Sequence, residues 1–130
     1  MAGLNRVQLI GNLGKDPETR FTPNGSKVCT FSLAVNRRWK SGDGSSKEAT
    51  DWFNIEVWGR LGEICQQYLH KGSRIYLEGR LKTVKYDQEG ENRYFTKVVA
   101  NQMIMLERRT GEEAFAEIEY EEENTESHEE

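Results

Sequence analysis

RLGEICQQYLHKG, residues 60–72, is the stretch on which the fold turns. Leu61, Ile64, Cys65, Tyr68 and Leu69 recur at the three- and four-residue spacing of a buried helical stripe, and Gly72 supplies a left-handed stop. On either side the apolar period changes to two. Upstream it runs through VQLIG (7–11), KVCTFSLAVNRRW (27–39) and TDWFNIEVWGR (50–60); downstream it runs through SRIYLEGRLKTVKY (73–86) and YFTKVVANQMIML (94–106). Three strands, one helix and two more strands is the order of an OB-fold, a mostly β, five-stranded Greek-key barrel. The Gly-rich segments SGDGSS (41–46) and DQEGEN (87–92) are predicted to be hairpin loops.

A chain of 130 residues has room for one packed domain and hardly for two. The predicted division is a barrel over 1–109 and a disordered acidic tail over 110–130, because no sustained apolar pattern follows Arg109. No apolar run is long enough to cross a membrane as a helix, and MAGLNRVQLIG lacks the basic start and long apolar segment of a signal peptide, so the chain is expected to stay where it is made. Cys29 and Cys65 lie in apolar-periodic stretches and not in a CxxC or Cys/His cluster. Both are read as reduced core residues; no metal site and no cofactor is expected.

The net charge of −4 conceals two opposite regions. Residues 110–130 contain ten glutamates and no lysine or arginine, so the rest of the chain holds all 18 basic residues against 12 acidic ones, a surplus of +6. A basic body with an acidic tail is a recurrent feature of nucleic-acid proteins.

The strands carry their unusual chemistry on the face turned away from the core. In 50–60, Phe53, Ile55 and Val57 share one parity, which leaves Trp52, Asn54, Glu56 and Trp58 on the other. In 73–86, Ile75, Leu77, Gly79 and Leu81 face in, while Tyr76, Glu78, Arg80, Lys82, Val84 and Tyr86 face out. Trp39 ends its strand between Arg37, Arg38 and Lys40, and Arg60 follows Trp58 at a strand end. Any one of these tryptophans could simply cover a barrel end. Three of them interleaved with cations suit a single-stranded nucleic acid, whose bases stack on flat side chains while Arg and Lys follow the phosphates.

Residues 4–36, 52–86 and 93–106, with the motifs GNLGKDPE, TPNG and YLHKGSRIYLEGRL at their particular spacing, resemble the bacterial-type single-stranded DNA-binding proteins (SSB). The resemblance implies an OB-fold homotetramer that wraps single-stranded DNA in replication, recombination and repair, and so a cytoplasmic, nucleoid-associated protein without catalytic residues. It places stacking side chains at Trp39, Trp52, Trp58 and Tyr86 and backbone-contacting cations at Arg60, Lys71 and Lys85. The face argument adds Arg80 and Lys82, and the basic setting of Trp39 adds Arg37 and Lys40. Lys85 lies off the Tyr86 parity.

Two departures stand out. The family's WHR segment reads Trp52, Phe53, Asn54 here, removing a cation from the binding strand and a polar group from a subunit contact. The family's acidic tail ends in a short hydrophobic tip through which replication and repair proteins dock, whereas this chain ends TESHEE. Two other functions compete: an RNA-binding or primosomal OB module, and a small nuclease. For a nuclease, Glu56 and Glu78 read as solitary carboxylates, and His70 and His128 have no visible partner.

Overall fold

The computed structural model describes residues 2–106. The predicted tail, with His128 and its boundary at 109/110, lies outside them. The elements are β1 (Val7–Leu13), β2 (Glu18–Phe21), β3 (Lys27–Lys40), β4 (Ser46–Trp58), α1 (Gly59–Tyr68), β5 (Arg74–Gln88) and β6 (Glu91–Met105). Neighbours run β1-β5-β6-β4-β3-β2, and β1 pairs a second time with β3 through Asn12↔Ala34 and Leu13↔Leu33. That second pairing closes a five-stranded barrel of β1, β3, β4, β6 and β5. β4 and β6 run parallel, with Ile55 opposite Val98, and the other pairs are antiparallel. This is the OB topology, with α1 between the barrel's third and fourth strands.

Alternation builds the core as the sequence implies. Leu33, Ile75 and Leu77 are fully buried and meet Phe31, Ile55, Val57, Val98 and Met103 in the barrel. Burying each such side chain stabilises the fold by roughly 1.5–3 kcal/mol relative to exposure. The helix turns Leu61, Gly62, Ile64 and Cys65 inward. Cys29 and Cys65 are both buried free thiols; burial raises the Cys29 pKa to about 11 despite nearby Lys27, and raises that of Cys65 further.

Four expectations change. A sixth strand, β2, pairs with β3 from Glu18↔Thr30 to Phe21↔Lys27 as an edge extension of the barrel. The hairpin expected at 87–92 is there but its loop is shorter: β5 and β6 pair as far as Gln88↔Glu91, leaving Glu89 (φ 54) and Gly90 (φ 82) as a two-residue turn of the kind that matches strand twist. The helix ends earlier than expected: Leu69 still donates its N–H to the Cys65 carbonyl but has turned to extended backbone (φ −98, ψ 152), and Tyr68 is exposed. Gly72 (φ 92) belongs instead to the next turn, closed by Ser73 N–H to His70 C=O at 2.9 Å.

Candidate nucleic-acid interface

The outward parity of β4 forms one continuous surface with its neighbours. Trp52 stands opposite Ala34, Asn54 opposite Ser32, Glu56 opposite Thr30 and Trp58 opposite Val28. Across β6 the same surface continues through Lys97 and Phe95, which face Lys82 and Val84 on β5, with Tyr86 opposite Arg93 beyond them. Trp52 is 59 % exposed and Tyr86 45 %. Small partners under Trp52 leave its ring lying over Gly14: a Cβ on that glycine would sit 2.6 Å from the ring. The second glycine of GNLGKDPE is therefore the floor on which an aromatic platform rests.

Trp58 is held more tightly. It is half-buried, and its indole N–H donates to Glu56 Oε1 at 3.0 Å, while Lys97 Nζ donates to Glu56 Oε2 at 2.7 Å. Glu56 thus faces outward by parity yet is buried beneath its two partners, which corrects its reading as a solitary carboxylate. The arrangement has an electrostatic use. Lys97 and Lys82 are direct cross-strand neighbours, and like charges in that position repel; the Glu56 carboxylate offsets one of them. Glu78 is not alone either: Arg6 Nε lies 2.9 Å from Oε2, and Tyr76 donates its hydroxyl to Oε1 at 3.0 Å. His70 also has a bonding partner, its Nδ1 lying 3.0 Å from the Lys71 carbonyl oxygen.

The sequence profile of the Single-strand binding protein family matches residues 4–106, which is most of the chain. The chain belongs to that family. It is 46 % identical over 106 residues to "Single-stranded DNA-binding protein 1" of Chlorobaculum tepidum, an alignment covering 80 % of this chain and 65 % of that relative; the chain thus spans just under two thirds of the relative's length. A solved structure described as "Plasmodium falciparum SSB complex with ssDNA" superposes with a TM-score of 0.76 at 32 % identity, covering 82 % of this chain and 98 % of that one. A deletion mutant of the single-stranded DNA-binding protein from Thermus aquaticus gives a TM-score of 0.73 at 31 % identity, over 86 % of this chain and 53 % of that one.

The site positions expected from the sequence do not all share the Trp52 surface. Arg80, Lys82 and Tyr86 do, by the β5–β6 register. Trp39 and Arg37 take the other parity of β3, the one that buries Phe31 and Leu33 nearer the barrel, and emerge where the β3–β4 ribbon leaves it. The Arg37 guanidinium lies 5.1 Å from the Trp39 ring centre and bonds Asp51 Oδ2 at 2.7 Å. Lys40 returns to the Trp52 parity opposite Ser46. Lys85 pairs with Tyr94 on the face away from Tyr86. Arg60 is exposed in the first turn of α1, and exposed Lys71 is fixed through its main chain, whose N–H donates to Asp16 Oδ1 at 2.8 Å.

Sequence reading missed Phe95, Lys97 and the role of Glu56. Parity alone could have found the first two, because Phe95, Lys97 and Val99 alternate with buried Val98. The Glu56–Lys97 contact needed the parallel β4–β6 register, which no local pattern encodes.

Proposed function

We propose that this chain binds single-stranded DNA without regard to sequence, as part of DNA replication, recombination and repair. The observation carrying the reading is one surface on which Trp52, Trp58 and Tyr86 stand together with Arg80 and Lys82. Aromatic faces accept any base, and the cations follow a backbone that is the same at every step. Membership of the single-strand binding family and the likeness to a structure that holds ssDNA support the same reading. A nuclease is less well supported, since both outward carboxylates are engaged with cations, Glu56 with Lys97 and Glu78 with Arg6.

The test is titration of the full chain with oligo-dT, following tryptophan emission, beside an RNA oligomer of equal length. Quenching with tighter binding of DNA is expected. Absence of quenching would sink the reading, preference for RNA would favour the RNA-binding alternative, and cleavage in divalent metal would favour the nuclease.

The homotetramer is also a proposal, resting on β1. Ile10 is 46 % exposed on the outer side of that strand, directly opposite Tyr76. The strand is apolar on both parities, with Val7 and Leu9 packed against the core and Ile10 turned away from it, so its outer side can meet a second copy of the chain. A sedimenting monomer at micromolar concentration would overturn it. Docking of replication and repair proteins would belong to the acidic segment 110–130, to be tested by pull-down with full and truncated chains.

A further inference from the structure

Between β6 and the β1–β2 connection lies a cleft of about 380 Å³, near the lower end of the roughly 300–1,000 Å³ typical of small-ligand sites. Phe95 forms part of its wall and is 41 % exposed. Asn54 and Ser32, cross-strand neighbours, also line it, and among the described residues the Asn54 amide has no hydrogen-bond partner. The charges around the cleft balance. Lys97 is paired with Glu56, while Lys15 and Arg20 share the lining with Asp16 and Glu18. A phosphate gains little from a site whose cations are matched by carboxylates. A neutral planar group with polar edges fits it better.

We infer that this cleft is a further base-binding subsite, in which Phe95 stacks one base of the strand and the Asn54 amide meets that base's edge. The inference rests on the single-strand-binding reading above. An amide offers both a donor and an acceptor, so it can meet the mixed edges of all four bases and keeps the subsite indifferent to sequence. Phe95 lies in line with the rest of the surface, opposite Val84 and two residues from Lys97, so a strand crossing from Trp52 towards Tyr86 passes it.

The charge balance makes the site distinguishable from its surroundings. A contact that neutralises phosphate changes the salt dependence of binding, whereas a stacking contact changes affinity at every salt concentration alike. Phe95→Ala in the full chain is therefore expected to weaken oligo-dT binding roughly 5- to 150-fold, with the slope of log K against log salt unchanged. Photo-crosslinking of the parent protein to an oligomer carrying 5-iodouracil is expected to label Phe95, independently of how the variant folds. Unchanged affinity in Phe95→Ala, a loss confined to low salt, or crosslinks that never reach 91–97 would overturn the subsite. A parent protein that fails to bind oligo-dT would overturn the underlying reading instead.

Discussion

Two hairpin arms extend from the barrel, and they treat their charges differently. The β3–β4 arm keeps its arginines paired, Arg37 with Asp51 at 2.7 Å and Arg38 with Glu48 at 3.6 Å, and its loop wraps Asp43 in hydrogen bonds from Ser41 and Ser45. The β5–β6 arm pairs Arg93 with Glu91 at 3.6 Å, while Lys82 and Lys85 have no ion-pair partner among the described residues. It also exposes Tyr86, Tyr94 and Phe95. An arriving phosphate must compete with Asp51 for Arg37, but meets Lys82 without such a competitor. The first arm is pre-shaped by its own ion pairs; the second is open to a ligand.

The largest effect is expected where the open arm joins the barrel, because there it does bury a pair. Lys97→Met leaves the Glu56 carboxylate without its cation and should cost about 3 kcal/mol of stability, the low end for a buried pair since Lys97 is 19 % exposed. Urea unfolding measures it; an unchanged midpoint would mean the pair is no more than a surface contact. Next comes Trp52→Ala, expected to cost about 1–3 kcal/mol of oligo-dT binding. Gly14→Ala should lose affinity by displacing the same ring, and should lose nothing further in the Trp52→Ala background. Additive losses would separate Gly14 from the platform.

Salt titrations compare the arms directly. Lys82→Ala should flatten the single-strand slope by about 0.7, the share of one neutralised phosphate, and Arg37→Ala by less, because Asp51 already neutralises that arginine. Asp51→Asn should release Arg37 and steepen the slope. Equal slopes for the two single-cation variants would erase the distinction. The smallest effect is local to the paired arm. Hydrogen bonds from Ser41 and Ser45 lower the Asp43 pKa from 3.8 to about 2. Its contribution to loop order is therefore fully present above about pH 4 and lost as pH falls towards 2. An NMR titration of the carboxyl should show this midpoint, and Ser41→Ala should move it back up.

The barrel was legible because both faces of its strands differ in polarity, as Phe53, Ile55 and Val57 do from Trp52, Asn54 and Trp58. The arms were less so. In SKEAT of β4 and DQ of β5 the residues are mostly solvated on both parities, so pairing leaves little trace in hydrophobicity. β2 escaped notice for a related reason: ETRF is held by main-chain bonds at a sheet edge, which do not require an apolar alternation. At the site, Trp52, Arg80, Lys82 and Tyr86 followed from parity and fall on one surface. Trp39 was read from its basic neighbours alone, and its odd register with Phe31 and Leu33 puts it on the other side of the ribbon.

The buried cysteines turn the molecule into its own clock. Cys29 lies between β2 and β4 in the sheet, opposite Thr19 on one side and Val57 on the other, and Cys65 lies on the inward face of α1; burial keeps both protonated well above neutral pH. The thiolate, not the thiol, attacks an alkylating reagent and displaces its leaving group, so neither sulfur should react at an appreciable rate while the barrel stays shut. Labelling of Cys65 would then time the lifting of α1, and labelling of Cys29 the parting of the sheet. A bound strand that braces the β3–β4 surface should slow the second reaction more than the first.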